Sequence, residues 1–172
     1  MHNQLHPATN LFLLELDVYL FEERALSDLQ HTSERESWWV LGGENPLPTR
    51  ARLRNSLIDD HLNGVALYRT SSPEFMGFLI DVWLPSLIVL ANRWPEIAFD
   101  VVTAPGVWPE LPPPLRDRWI CNQEKFIRTS SIQNCSNLSV VWDDFMGGPE
   151  KLSKVLGIPT APILHVKVTK AT

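Results

Sequence analysis

The sequence predicts an α/β domain in three layers: a mainly parallel five-stranded sheet with helices on both faces. Three observations lead there. Short apolar runs alternate with longer amphipathic ones along the chain, the pattern of strands joined by crossover helices. The first run, from Asn10 towards Phe21, opens as a continuous apolar stretch, Leu11 to Leu14, as expected of a strand buried on both faces. Apolar residues form 44% of the 172-residue chain and charged residues only 20%, which suffices to bury a core in one domain of ordinary size.

The elements follow in order. After strand one, residues 26–36 suit a short helix or flap. Ser37 to Pro48 holds Trp38, Trp39 and a Gly-Gly pair and reads as a loop. Thr49 suits a helix N-cap, with Leu53, Leu57 and Ile58 on one face of a helix through Leu62. Val65 to Tyr68 is strand two, halted by Thr70, Ser71, Ser72 and Pro73. A long apolar helix, about Glu74 to Arg93, comes next. Ile97 to Thr103 is expected as strand three, and the four prolines between Pro109 and Pro114 as an extended loop. Arg116 to Ile127 reads as helix, Leu138 to Trp142 as strand four, Pro149 to Leu156 as helix, and Ile163 to Val168 as an edge strand. The whole chain is expected to form one domain, residues 1–172, with a small flap at about 22–48 and no larger cap.

Charge and composition narrow the function classes. The net charge is −5 and no dense Lys/Arg run occurs, so nonspecific nucleic-acid binding is disfavoured. Cys121 and Cys135 lack zinc-site spacing and are expected as reduced thiols in a cytoplasmic protein. Phe75 to Ala91 is short for a membrane span and contains Asp81 and Pro85, so it is expected as a core helix rather than a membrane segment. No Gly-x-Ser-x-Gly elbow, His-Glu-x-x-His pair or Gly-rich nucleotide loop is present.

In a parallel sheet, ligands bind beyond the C-terminal strand ends. Strand one runs into Glu15 and Asp17, strand two into Thr70 and Ser71, and strand four into Asp143 and Asp144, with Lys125 upstream of strand four. Carboxylates from two strands suit Mg²⁺, a hard ion that prefers oxygen ligands. A hydroxyl and a lysine suit phosphate oxygens. Trp38 and Trp39 are expected either to pack the flap or to line a substrate entrance.

These motifs resemble those of the haloacid dehalogenase-like (HAD) phosphohydrolases. Leu11-Phe12-Leu13-Leu14-Glu15-Leu16-Asp17 is similar to the family's first motif, Val65 to Thr70 to the second, Lys125 to the third and Ser139 to Asp144 to the fourth. The resemblance implies a Rossmann-like fold and a Mg²⁺-dependent phosphatase acting on a phosphorylated small molecule or nucleotide. By position it assigns catalysis to Glu15 and Asp17, phosphate binding to Thr70, Ser71 and Lys125, and the metal to Glu15, Asp17, Asp143 and Asp144. Three positions depart: Glu15 stands where the family has Asp, Val18 where it has Gly and Tyr19 where it has Thr. A second expectation is therefore a catalytically degenerate domain that binds a phosphate ligand or a protein. A third is a plain binding module without that ancestry, marked by a strand one that is not at the centre of the sheet.

Overall fold

The computed structural model describes residues 10–14, 18–20, 25–34, 37–44, 51–53, 56–58, 61–62, 64–141, 146–156 and 163–169. In chain order the elements are β1 (Leu11–Leu13), β2 (Val18–Leu20), α1 (Ala25–Ser33), β3 (Val40–Glu44), β4 (Ala51–Leu53), β5 (Ser56–Ile58) and β6 (Ala66–Tyr68). There follow α2 (Pro73–Phe78), a π turn (Leu79–Trp83), α3 (Leu84–Arg93), two 3₁₀ segments (Phe99–Thr103 and Pro105–Glu110) and α4 (Pro113–Cys121). The chain continues through a 3₁₀ turn (Gln123–Lys125), β7 (Phe126–Val141), α5 (Gly148–Leu156) and β8 (Ile163–Thr169).

The expected mainly parallel five-stranded Rossmann-like sheet is not what the chain forms. Six strands build a mixed, strongly curled half-barrel in the order β1-β6-β3-β7-β8-β2, and β4 and β5 form a separate hairpin. Two of the five pairings, β3 with β7 and β7 with β8, are parallel. The other three, β1 with β6, β6 with β3 and β8 with β2, are antiparallel. β1, expected at the centre, pairs among the described residues only with β6 and forms one edge; Leu11 and Leu13 are exposed.

The physical reason lies in β7. Its sixteen residues pair first with β3, from Phe126 to Gln133, and then with β8, from Ile132 to Val141. Register shifts fall between Gly43 and Glu44 on one side and between Cys135 and Ser139 on the other. Such irregularities bend a strand and increase its twist, and a strand spanning roughly 50 Å if straight curls the sheet around it. Two glycines of β3 admit the close packing. A Cβ on Gly42 would lie 2.8 Å from the Leu62 side chain, and one on Gly43 would lie 2.8 Å from Ile132.

Three further expectations are corrected. Where a helix is expected from Thr49 to Leu62, the described residues form the antiparallel pair of β4 and β5, in which Ala51 pairs with Ile58 and Leu53 with Ser56. Most of the strand placed at Ile97 to Thr103 is 3₁₀, from Phe99 to Thr103, because its backbone closes locally: the Val101 N–H donates to the Ala98 carbonyl, and the Ala104 N–H to the Val101 carbonyl. The proline loop instead contributes the start of α4, where Pro113 and Pro114 occupy the first turn and need no amide hydrogen.

Packing follows strand alternation. Val40, Ala66 and Tyr68 face one core, with Phe75, Phe78, Val82, Trp83, Leu90, Trp108 and Trp119. Leu41 and Leu67 face the other, with Ala25, Leu29, Trp38, Ile132 and Ile163. The first core is dominated by aromatic rings. Trp119 is fully buried, stands edge-on to Phe78 at 4.8 Å, and donates its indole N–H to the Ser86 hydroxyl at 2.9 Å.

Candidate functional site

The sheet order gathers one rim from distant parts of the chain. β6 runs antiparallel to β3, and β3 runs parallel to β7. The approach to β3, the exit from β6 and the approach to β7 therefore meet at one end of three adjacent strands. The backbone ties them there: the Trp39 N–H donates to the Lys125 carbonyl at 2.8 Å, and the Arg69 N–H to the Trp39 carbonyl at 2.9 Å.

A cleft of about 440 Å³ opens at this rim, lined by Ser37, Trp38, Trp39, Arg69, Ser71, Ser72, Glu74 and Lys125. Its size falls within the range of about 300–1,000 Å³ typical of small-molecule sites. The floor is rigid. Trp38 and Trp39 are buried; the Trp38 indole N–H donates to the Ser33 carbonyl at 2.7 Å, and Trp39 packs on Phe78 at 4.9 Å. Both tryptophans thus pack the core while their edges reach the cleft.

The cations flank two strands: Arg69 directly follows β6 and Lys125 directly precedes β7. The Arg69 guanidinium lies 5.7 Å from the centre of the Trp38 ring, within cation–π range. The Lys125 ammonium donates to the Ser37 hydroxyl at 3.0 Å. On the third side, Ser72 caps α2: its hydroxyl oxygen accepts the Phe75 N–H at 3.2 Å and its proton goes to the Glu74 carboxylate at 2.8 Å. Ser72, the residue after Ser71, is thus the N-cap of α2. The Glu74 carboxyl is held below its ordinary value of 4.5, first by a backbone amide and then by the Ser72 hydroxyl, opposed by desolvation and helped least by the charge of Arg69. A carboxylate so stabilised is a weak base.

Of the residues expected to act, Ser71 and Lys125 line this cleft together, and Thr70 precedes Ser71 in the same turn. Glu15, Asp17, Asp143 and Asp144 lie outside the described residues. Their neighbours lie elsewhere in the sheet. Leu13 pairs with Ala66 at the start of β6, whereas Ser71 follows its end. Val141 ends β7, whereas Lys125 precedes its start. Among the described residues no group of three or more His, Cys, Asp and Glu side chains is placed to hold a metal ion. Sequence reasoning missed Arg69, Ser37 and Glu74. The pattern Ser-Pro-Glu after a strand does mark Ser72 as a cap, but nothing local links Arg69 to Lys125.

Chemically, the described residues of the cleft offer two cationic groups, three hydroxyls and one carboxylate, with no histidine or cysteine among them. That inventory suits an anion, with hydroxyls and charged donors giving short charge-assisted hydrogen bonds. The chain matches no protein family, no curated protein and no solved structure.

Proposed function

We propose that this protein binds a phosphorylated small molecule in the rim cleft and does not turn it over. The observation that carries the reading is the meeting of Arg69 and Lys125 with Ser71 and Ser37 in one cavity, although 88 residues separate Ser37 from Lys125. In a chain with net charge −5, two cations gathered on a tryptophan floor form a local exception that attracts an anion. The hydrolytic expectation rested on a parallel sheet with β1 at its centre; β1 at the edge supports a plain binding module instead. Glu74, already engaged by the Ser72 hydroxyl, is a poor general base, which also favours binding over turnover.

Inorganic phosphate and a panel of sugar phosphates and nucleotides, titrated by calorimetry and by thermal shift, test the proposal. Binding by at least one ester, weakened about tenfold or more by Arg69→Ala and by Lys125→Ala, is the expected result, since a lost charge-assisted hydrogen bond costs on the order of 1.5–3 kcal/mol. Binding that both variants leave unchanged, or no binding across the panel, refutes it. Phosphate release that Lys125→Ala abolishes would replace it with a hydrolase.

A further inference from the structure

The rim cleft brings charges of opposite sign together without pairing them. Arg69, Lys125 and Glu74 all line it, yet among the described residues neither cation forms an ion pair with the Glu74 carboxylate. Each group is held by a partner of its own. The Arg69 guanidinium lies over the Trp38 ring, the Lys125 ammonium donates to the Ser37 hydroxyl, and the Glu74 carboxylate accepts the Ser72 hydroxyl proton. All three keep spare hydrogen-bonding capacity. Among the described residues the guanidinium gives no N–H to a protein acceptor. An ammonium has donors left after one bond, and a carboxylate has lone pairs left after accepting one hydroxyl. The Glu74 carboxyl, held below 4.5, is ionised at neutral pH. With two positive groups against one negative, the cleft carries a single net positive charge. Trp38 and Trp39 are only 1 and 9% exposed, so neither offers a ring face on which a base or a sugar could stack.

We propose that the ligand of this cleft is the phosphate monoester of an amino alcohol, with its phosphate on Arg69 and Lys125 and its ammonium on Glu74. The inference rests on the phosphate reading above and adds to it the group at the ligand's far end. Charge selects that group. A phosphate monoester carries about −1.5 to −2 at neutral pH, and an ammonium returns one positive charge, so the whole ligand balances the cleft. Each end also meets the opposite sign, as complementarity requires. A nucleotide fits less well, because it brings a base with no face to stack on and, with each further phosphate, more negative charge beside Glu74. A sugar phosphate can give hydroxyl protons to the carboxylate but leaves its charge facing the phosphate uncompensated. The headgroup of an amino phospholipid is a diester with a single negative charge, which leaves one of the two cations unanswered.

Calorimetry of the full chain with phosphoethanolamine and with ethyl phosphate tests this, because the two esters differ only in the amine. Phosphoethanolamine should bind about fivefold tighter, the upper end for an ion pair open to solvent, and the advantage should shrink as salt is added. Glu74→Gln should erase the preference: it weakens phosphoethanolamine and strengthens ethyl phosphate, since the repelling carboxylate is gone. Arg69→Ala should weaken both esters. The Ser72 hydroxyl still accepts the Phe75 N–H in Glu74→Gln, so the cap survives, which thermal melting checks. Should that variant melt early, the two esters compared on wild type still decide. Equal affinity for them, or a preference that a folded Glu74→Gln leaves intact, overturns the inference and leaves the phosphate reading standing. Tighter binding of a hexose phosphate than of phosphoethanolamine does the same in favour of a sugar, and binding to phosphatidylethanolamine vesicles in preference to the free monoester does so in favour of a lipid. No binding of either ester or of inorganic phosphate overturns both readings together.

Discussion

Removing the indole of Trp119 tests the account of the aromatic core most directly. Trp119 is fully buried against Phe78, Trp83, Trp108 and Phe126, with ring centres 4.8 to 5.9 Å away. Truncating such a side chain to Ala costs about 3–5 kcal/mol in lost burial and residual cavity. It also leaves the buried Ser86 hydroxyl without the indole N–H, adding about 1 kcal/mol, the low end of the range, because a helical serine can turn to its own helix carbonyl. The total, about 4–6 kcal/mol, is comparable to the whole stability of many domains, about 5–15 kcal/mol. Trp119→Phe keeps much of the ring volume and loses the donor, and should cost about 1–3 kcal/mol. Urea denaturation followed by tryptophan fluorescence and circular dichroism measures both variants. A double-mutant cycle with Ser86→Ala should return a coupling of about 1 kcal/mol between Trp119→Phe and Ser86→Ala. A Trp119→Ala cost below about 1.5 kcal/mol, within the ordinary run of substitutions, would refute the packing argument; a coupling of zero would refute the hydrogen bond.

Other outcomes follow from the same structure. Asp100→Ala should destabilise by about 1–3 kcal/mol, because the buried carboxylate accepts the Gly64 N–H at 2.9 Å; Asp100→Asn keeps that acceptor and should cost less, as paired thermal melts will show. Gly43→Ala should cost about 1–3 kcal/mol by overpacking, because the new Cβ meets both the side chain and the backbone carbonyl of Ile132; chemical denaturation reads it. The Glu74 carboxyl should titrate below 4.5 in carbon-detected NMR, and Ser72→Ala should raise its midpoint. With a depressed folded value, its contribution to stability is present above the unfolded value and is lost as pH falls through the folded one.

Much of the secondary structure was legible because it rests on local pattern. The rod from Pro73 to Arg93, α5 and the short buried β6 stand close to where periodicity puts them. The rod's burial was only half legible. Apolar content suggested a core helix, yet one face remains exposed, because a near-uniform apolar run hides which side meets the core. Leu53, Leu57 and Ile58 suit a helix face as well as a hairpin, and only pairing between β4 and β5 chose the hairpin. At the cleft, Ser71 and Lys125 were readable as phosphate-type residues at the ends of predicted elements. Arg69 and Ser37 were not, since their importance depends on which strands become neighbours.

The sequence by itself determined the alternation of apolar and amphipathic segments, the acidic balance and the residue types able to meet an anion. Only the tertiary structure decided the order and direction of the strands, and with them which residues share a rim. The reason is that helix periodicity and capping act over a few residues, whereas strand order is set by pairings across the chain. Val40 meets Phe126 and Leu20 meets Ile163 across separations that no local pattern records. The apolar run at Leu11 looked like a central strand because burial on two faces and exposure at an edge can share one composition. The pairing of β1 with β6 alone made it an edge.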